Sequence, residues 1–218
     1  MKRGGCQNEP VIAIFDVDGT LTESQAVDNQ CFVRAFETGF GITGIDTDWS
    51  HYPHTTERAL TAEILRRAGF AGDERDLEKH RSLFVSLLKQ RVGEIAEIPG
   101  ARAFLKELTN RGWRVVLATG AWSHSAAVKL GAGGFHTALL VACCDRAETR
   151  EEIVRHAIDL AGGEPPIVLF GDAPWDVRTA AALGLPIIGV GPHAAGANAR
   201  IDDYRDVERV MSLLELVV

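Results

Sequence analysis

At 218 residues and 46% hydrophobic composition, the chain suits one domain, or a core with one insertion, and can bury a sizeable apolar centre. Its formal net charge of −7 excludes a general affinity for nucleic acid or anionic membrane, so any bound phosphate must meet positive charge gathered locally. Lys2 and Arg3 precede an apolar stretch, Val11 to Phe15, too short for a signal peptide's core, and no segment approaches the roughly 20 apolar residues of a membrane span. The expected location is cytoplasmic. The cysteines, Cys6, Cys31, Cys143 and Cys144, make no Cys-x-x-Cys pair, and adjacent Cys143 and Cys144 sit in an apolar run. They read as buried structural thiols of a reducing compartment.

Along the chain, residues 11–16 read as a buried strand that runs into Asp16-Val17-Asp18-Gly19-Thr20-Leu21. Residues 23–98 read as helical throughout. Val27, Cys31, Phe32, Ala35 and Phe36 recur at helical spacing until Gly39 and Gly41 stop them. Leu60, Ile64, Leu65 and Ala68 mark a second helix ending at Gly69. Asp73 caps a third, with Leu77, Leu83, Phe84, Leu87, Leu88 and Val92 as its stripe and Gly93 at its end. From Pro99 onward, strand and helix alternate. A helix over 100–111 ends at Gly112, and a strand over Arg114–Ala118 leads to Thr119-Gly120. A short helix then ends near Gly131, followed by a strand over 138–143. Thr149 and Glu152 form a capping box for a helix to about Ala161. Ile167–Phe170 is a strand entering Gly171-Asp172. Pro174 opens a helix that Gly184 closes, and a strand at 186–190 and a helix at 206–216 follow. Such alternation implies an α/β fold, a doubly wound parallel sheet, with ligands beyond the strands' carboxyl ends. The division is a core of residues 1–22 and 99–218 with a small α-helical cap over 23–98.

Three strands finish in chemically useful residues. Side chains alternate along a strand, so Asp16 and Asp18 can face one pocket. Gly19 lets the backbone turn away, and Thr20 offers a hydroxyl and an N–H to an oxyanion. The pair suits a nucleophilic carboxylate beside a proton-handling one. Parallel strands bring Asp172 and Asp176 to the same edge, near Thr119. Four clustered carboxylates repel unless protonated or cation-bound, and a hard divalent ion with oxygen ligands, Mg²⁺ first, resolves this.

With these residues in place, the chain resembles the haloacid dehalogenase superfamily of phosphotransferases over essentially its whole length. Its first motif, Asp-x-Asp-Gly-Thr, stands as Asp16 to Thr20, its second as Thr119, and its fourth, Gly-Asp-x-x-x-Asp, as Gly171 to Asp176. The resemblance implies that Asp16 attacks phosphorus and forms an aspartyl-phosphate. Asp18 would protonate the leaving oxygen and then activate water, and Thr119 would hold a phosphoryl oxygen, with Gly120 beside the substrate. Mg²⁺ would be bound by Asp16, the backbone carbonyl of Asp18, and Asp172, with Asp176 ligating or supporting. The third motif needs a Lys or Arg. Arg150 stands at the usual place and is favoured, and Lys129, on the helix after Thr119, competes with it; the alternative for each is a solvated surface residue.

In the cap, the segment from Asp48 to His54 is rich in polar-tipped aromatics. Trp49 and His54 are its candidate substrate contacts, the alternative being a loop packed on the helices. His124 reads as solvated. The resemblance implies a phosphomonoester hydrolase of the phosphoglycolate phosphatase type acting on a small phosphorylated metabolite under a mobile cap. Dehalogenases need no second Asp, and related phosphonate hydrolases carry a small residue there, so Asp18 favours phosphate esters. A hexose-phosphate mutase, a non-enzymatic aspartate phosphoacceptor and a binding protein derived from an enzyme stand as alternatives.

Overall fold

Residues Ile12–Phe15 form strand β1, and each is buried, as a strand covered on both faces requires. A computed structural model describes residues 11–135, 138–164 and 166–217. Cys6, Lys2 and Arg3 lie outside them. After β1 come β2 (Thr22–Glu23), α1 (Gln25–Phe40), α2 (Glu57–Arg67), α3 (Glu74–Lys89) and β3 (Ala96–Glu97). Next are α4 (Ala101–Asn110), β4 (Arg114–Ala118), α5 (Ser123–Ala132), β5 (Leu140–Ala142), α6 (Arg150–Leu160) and β6 (Ile167–Gly171). The chain closes with α7 (Pro174–Leu183), β7 (Ile187–Val190), β8 (Ala199–Ile201) and α8 (Val207–Val217).

Six strands build one parallel sheet in the order β5-β4-β1-β6-β7-β8. Phe15 is level with Leu117 on one side and Phe170 on the other, so β1, β4 and β6 end at one edge. Alternation sends Ile12 and Ile14 to one face and Ala13 and Phe15 to the other. The first face packs on α6 and α7 through Ile153, Val154, Ala157 and Ala180. The second packs on α4 and α8 through Phe104, Leu108, Val210 and Leu214. There Phe15 stacks on Phe170 at 4.3 Å between ring centroids. This is the doubly wound α/β fold the alternation predicts.

Helices α1, α2 and α3 lie between the two strands of a separate antiparallel ribbon, in which Thr22 pairs with Glu97 and Glu23 with Ala96. The expected boundary at 23–98 falls at this ribbon. Strands of two residues carry no readable periodicity, and neither β2, β3 nor β8 was expected. Helix α1 runs through Gly39 and ends at Gly41, whose φ of +70° terminates it. Gly39 is retained inside the helix because a Cβ there would lie 2.5 Å from Leu83 Cδ1 of α3. Helix α3 stops at Lys89, short of the expected Gly93. Val92 begins a separate 3-10 turn and is exposed rather than part of the stripe.

His80 occupies a position in that stripe instead, packed 3.9 Å from Phe36 between ring centroids. Its Nε2–H donates to the Phe32 carbonyl at 3.1 Å, and burial pushes its pKa down to about 3, so the ring is neutral. Cys31 and Cys144 are buried thiols, and Cys143 is half-buried. No helix among the described residues is long and apolar enough to cross a membrane.

Candidate active site

The edge where β1, β4 and β6 end faces α1 and α2 across a cavity of about 240 Å³. Asp16 and Asp18 both line it, although their side chains serve different partners. Between them the chain must turn sharply. Gly19 does so at φ +77°, and a Cβ there would lie 2.6 Å from the Asp172 carboxylate carbon.

Asp16, Asp172 and Asp176 offer one oxygen each, all within 4.8 Å of one another and all buried. Arg150 Nη1 donates to Asp16 Oδ1 at 3.1 Å and to Asp176 Oδ1 at 3.2 Å. Helix α6 aims it there: the Thr149–Glu152 capping box starts the helix at the same sheet edge, with Arg150 as its first residue. The other oxygen of Asp176 caps α7 by accepting the Ala173 N–H at 3.1 Å. Gln25, at the start of α1, donates to Asp172 Oδ2 at 2.5 Å.

One guanidinium does not neutralise three carboxylates. Burial, and then repulsion by Asp176, raises Asp16 well above the usual carboxylate range, against Arg150. The same two influences push Asp172 up to about 7. Burial raises Asp176 too, with Arg150 opposing. Three convergent carboxylate oxygens carrying this mutual repulsion fit a hard divalent cation. Arg150 Nε is buried and has no partner, so the same guanidinium retains a donor for an anion.

Asp18 belongs to a second cluster. Its Oδ1 accepts the Ser24 hydroxyl, and its Oδ2 accepts Lys129 Nζ at 2.7 Å. Lys129 is no surface lysine. It is fully buried and also donates to Asp28 Oδ1 at 2.8 Å and Glu57 Oε1 at 3.1 Å. Burial alone would depress this ammonium, but Asp18, Asp28 and Glu57 outweigh it and hold the pKa well above its ordinary value. Burial raises Asp28 to about 8 despite Lys129, with Asp18 and Glu57 adding repulsion. Of the two competing cations, therefore, Arg150 reaches Asp16 and Lys129 reaches Asp18.

Glu57 also fastens the helical insert to the core. Its N–H donates to the Gly120 carbonyl at 2.8 Å, and its Oε2 accepts from Trp122 N–H at 2.8 Å and Ser125 Oγ at 2.7 Å. The neighbouring Thr56 hydroxyl donates to the Glu148 carbonyl at 3.0 Å.

The remaining expected residues separate. Thr119 is buried at the end of β4, and its Oγ1 accepts the Ala121 N–H at 3.2 Å. Gly120 and Trp49 line the cavity, and the Trp49 indole N–H donates to Asn29 Oδ1 at 2.9 Å. Thr20 corrects the expectation. It is fully buried, its hydroxyl has no partner, its N–H turns back toward the Val17 carbonyl, and it does not line the cavity. His54 corrects it as well, being exposed in a separate groove beside Arg58 and Glu148. His124 is exposed, as expected. Gln25, Asp28, Asn29 and Glu57 escaped the sequence reading. The polar pair Asp28-Asn29 beside the α1 stripe was a faint signal; for Glu57 there was none.

The fold and this edge define an α/β protein whose candidate site lies between a doubly wound core and a helical insert. A family model for haloacid dehalogenase-like hydrolases matches residues 11–184, and the chain belongs to that family. It is 27% identical over 205 residues to an uncharacterized protein in the fgs 3′ region of Lacticaseibacillus casei, a match spanning 88% of this chain and 94% of that one. Among solved structures, a hydrolase from Pseudomonas syringae superposes with a TM-score of 0.77 at 18% identity, covering 95% of this chain and all of that one. CbbY from Rhodobacter sphaeroides, solved in complex with phosphate, superposes at 0.74 with 24% identity, over 91% and 96%.

Gly120 has a testable role here. A Cβ on it would lie 2.7 Å from Arg150 Nη2, forcing the guanidinium aside. Gly120→Ala is expected to lower hydrolase turnover by on the order of a hundredfold, the effect of a ~1 Å misplacement. Its thermal midpoint should stay near wild type, because the obstructing atoms end a flexible side chain. Parallel turnover and melting measurements check this.

Proposed function

We propose that this protein is a Mg²⁺-dependent phosphomonoesterase acting on a small phosphorylated metabolite in the cytoplasm. The observation that carries the reading is Asp16, held by Arg150 inside a three-carboxylate cluster and followed two residues later by Asp18. An Asp16 oxygen attacks phosphorus, the P–O ester bond breaks, and the leaving oxygen takes a proton delivered by Asp18. In the second step Asp18 accepts a proton from water as that water attacks the aspartyl-phosphate, releasing phosphate and restoring Asp16. Ser24 and Lys129 orient both Asp18 oxygens for these transfers. Arg150 offers its unpartnered Nε–H to a phosphoryl oxygen. Thr119, buried at the end of β4 and outside the cavity lining, would hold a second phosphoryl oxygen only after a local rearrangement. Asp16, Asp172 and Asp176, with the Asp18 carbonyl, would hold Mg²⁺, which offsets the repulsion between nucleophile and phosphate. The docked cap excludes bulk water.

The cavity volume supports a small ester over a polymer. The buried free thiols support a reducing compartment. Phosphate release from a panel of small esters tests the reading. Release with Mg²⁺ and its loss on chelation are expected. Turnover that ignores chelators would overturn the metal's part, an isomerised sugar phosphate as product would favour a mutase, and a long-lived aspartyl-phosphate would favour a phosphoacceptor.

A further inference from the structure

The two ends of the cavity differ in charge. At the sheet edge, a divalent cation and Arg150 together would balance Asp16, Asp172 and Asp176, leaving that end ready for a phosphate dianion. At the cap side, three carboxylates, Asp18, Asp28 and Glu57, share the single ammonium of Lys129. Protonation of any one of the three still leaves a negative wall. Among the described residues, Arg150 is the one cationic side chain lining the cavity.

The hydrogen-bonding inventory points the same way. Lys129 has its three carboxylate partners, and both Glu57 oxygens are occupied. Asp28 differs: only its Oδ1 is engaged by a described residue, leaving Oδ2 without a described partner in a residue that lines the cavity. Asn29 beside it has its Oδ1 taken by Trp49. The rest of the cap wall is Phe32, Trp49 and Leu60 with the uncharged polar Gln25 and Thr55.

From this arrangement, and resting on the phosphomonoesterase reading, we infer that the substrate carries one phosphate and no second anionic group, its organic part ending in a hydroxyl or ammonium that meets Asp28. A carboxylate or second phosphate at that end would face like charge with no cation to pair it. The inference opposes the phosphoglycolate expectation.

Three esters of equal length test it: 2-hydroxyethyl phosphate, phosphoethanolamine and phosphoglycolate, which end in a hydroxyl, an ammonium and a carboxylate. Their affinities are measured by calorimetry on Mg²⁺-loaded Asp16→Asn protein, where turnover plays no part. The carboxylate ester is expected to bind at least tenfold more weakly than one of the other two, and whichever of those is tighter identifies the terminal group. Adding Asn29→Lys, which places an ammonium in this wall, is expected to narrow that gap at least tenfold. Phosphoglycolate binding within tenfold of both others overturns the inference. If Asn29→Lys does not fold, the order in the Asp16→Asn protein decides alone. Failure of the phosphomonoesterase reading shows separately, as absence of p-nitrophenyl phosphate hydrolysis by wild-type protein with Mg²⁺.

Discussion

Asp16→Asn is expected to abolish phosphate release, by about 10⁴-fold or more, the scale of losing a catalytic nucleophile. Asparagine keeps the shape and a carbonyl oxygen for Arg150, but its amide is no nucleophile towards phosphorus. The same change should not weaken the fold. Asp16 is buried, and its carboxylate is repelled by Asp176 and Asp172, with Arg150 alone among these neighbours opposing the upward pKa shift. A carboxylate with a raised folded pKa loses stability as pH rises above its unfolded value near 3.8, so removing the charge relieves the native state at pH 7. In chelator, the variant should melt at or above the wild-type temperature. With Mg²⁺ the wild type should gain more, since a ligand that binds only the native state stabilises it. Melting curves with and without the metal, beside turnover, give both results. A variant that loses activity and also melts lower in chelator would mark Asp16 as structural instead.

Lys129→Met should act in the opposite sense on stability. Methionine matches the volume of the stem, but it leaves the buried Glu57 and the part-buried Asp18 and Asp28 without their shared cation. Breaking a buried ion pair by removing one partner costs about 3–5 kcal/mol. For a chain of this size, that is a fall in melting temperature on the order of 10 °C. Turnover should drop as well, because Asp18 loses one of its two orienting donors. Glu57→Gln added to Lys129→Met should recover part of the stability, since it removes one unpaired charge while keeping an acceptor for Trp122 and Ser125. No recovery in the double variant would show that packing, not charge, ties Lys129 into the fold.

The sheet and its acidic edge were legible in the residues themselves. Strand Arg114–Ala118 has its expected ends, and Asp73 and Thr149 each cap the helix they precede by accepting a backbone N–H three residues on. Pro174 and Gly184 bound α7. These signals are local, because apolar period, caps and breakers act within a few residues. The carboxylates of Asp16, Asp172 and Asp176 could be placed for the same reason: each closes or follows a strand, and parallel strands share an edge. Packing decided the rest. Gly39 stays helical because α3 leans on it, and His80 takes a core position because Phe32 offers a carbonyl to its ring. Thr20 departs from its expected place at the substrate because its side chain is fully buried and its hydroxyl has no partner. The Lys129 cluster joins residues 18, 28, 57 and 129. A charge pair between such distant positions leaves no periodic trace, so only the docking of the cap against the core made one lysine the shared cation of three carboxylates.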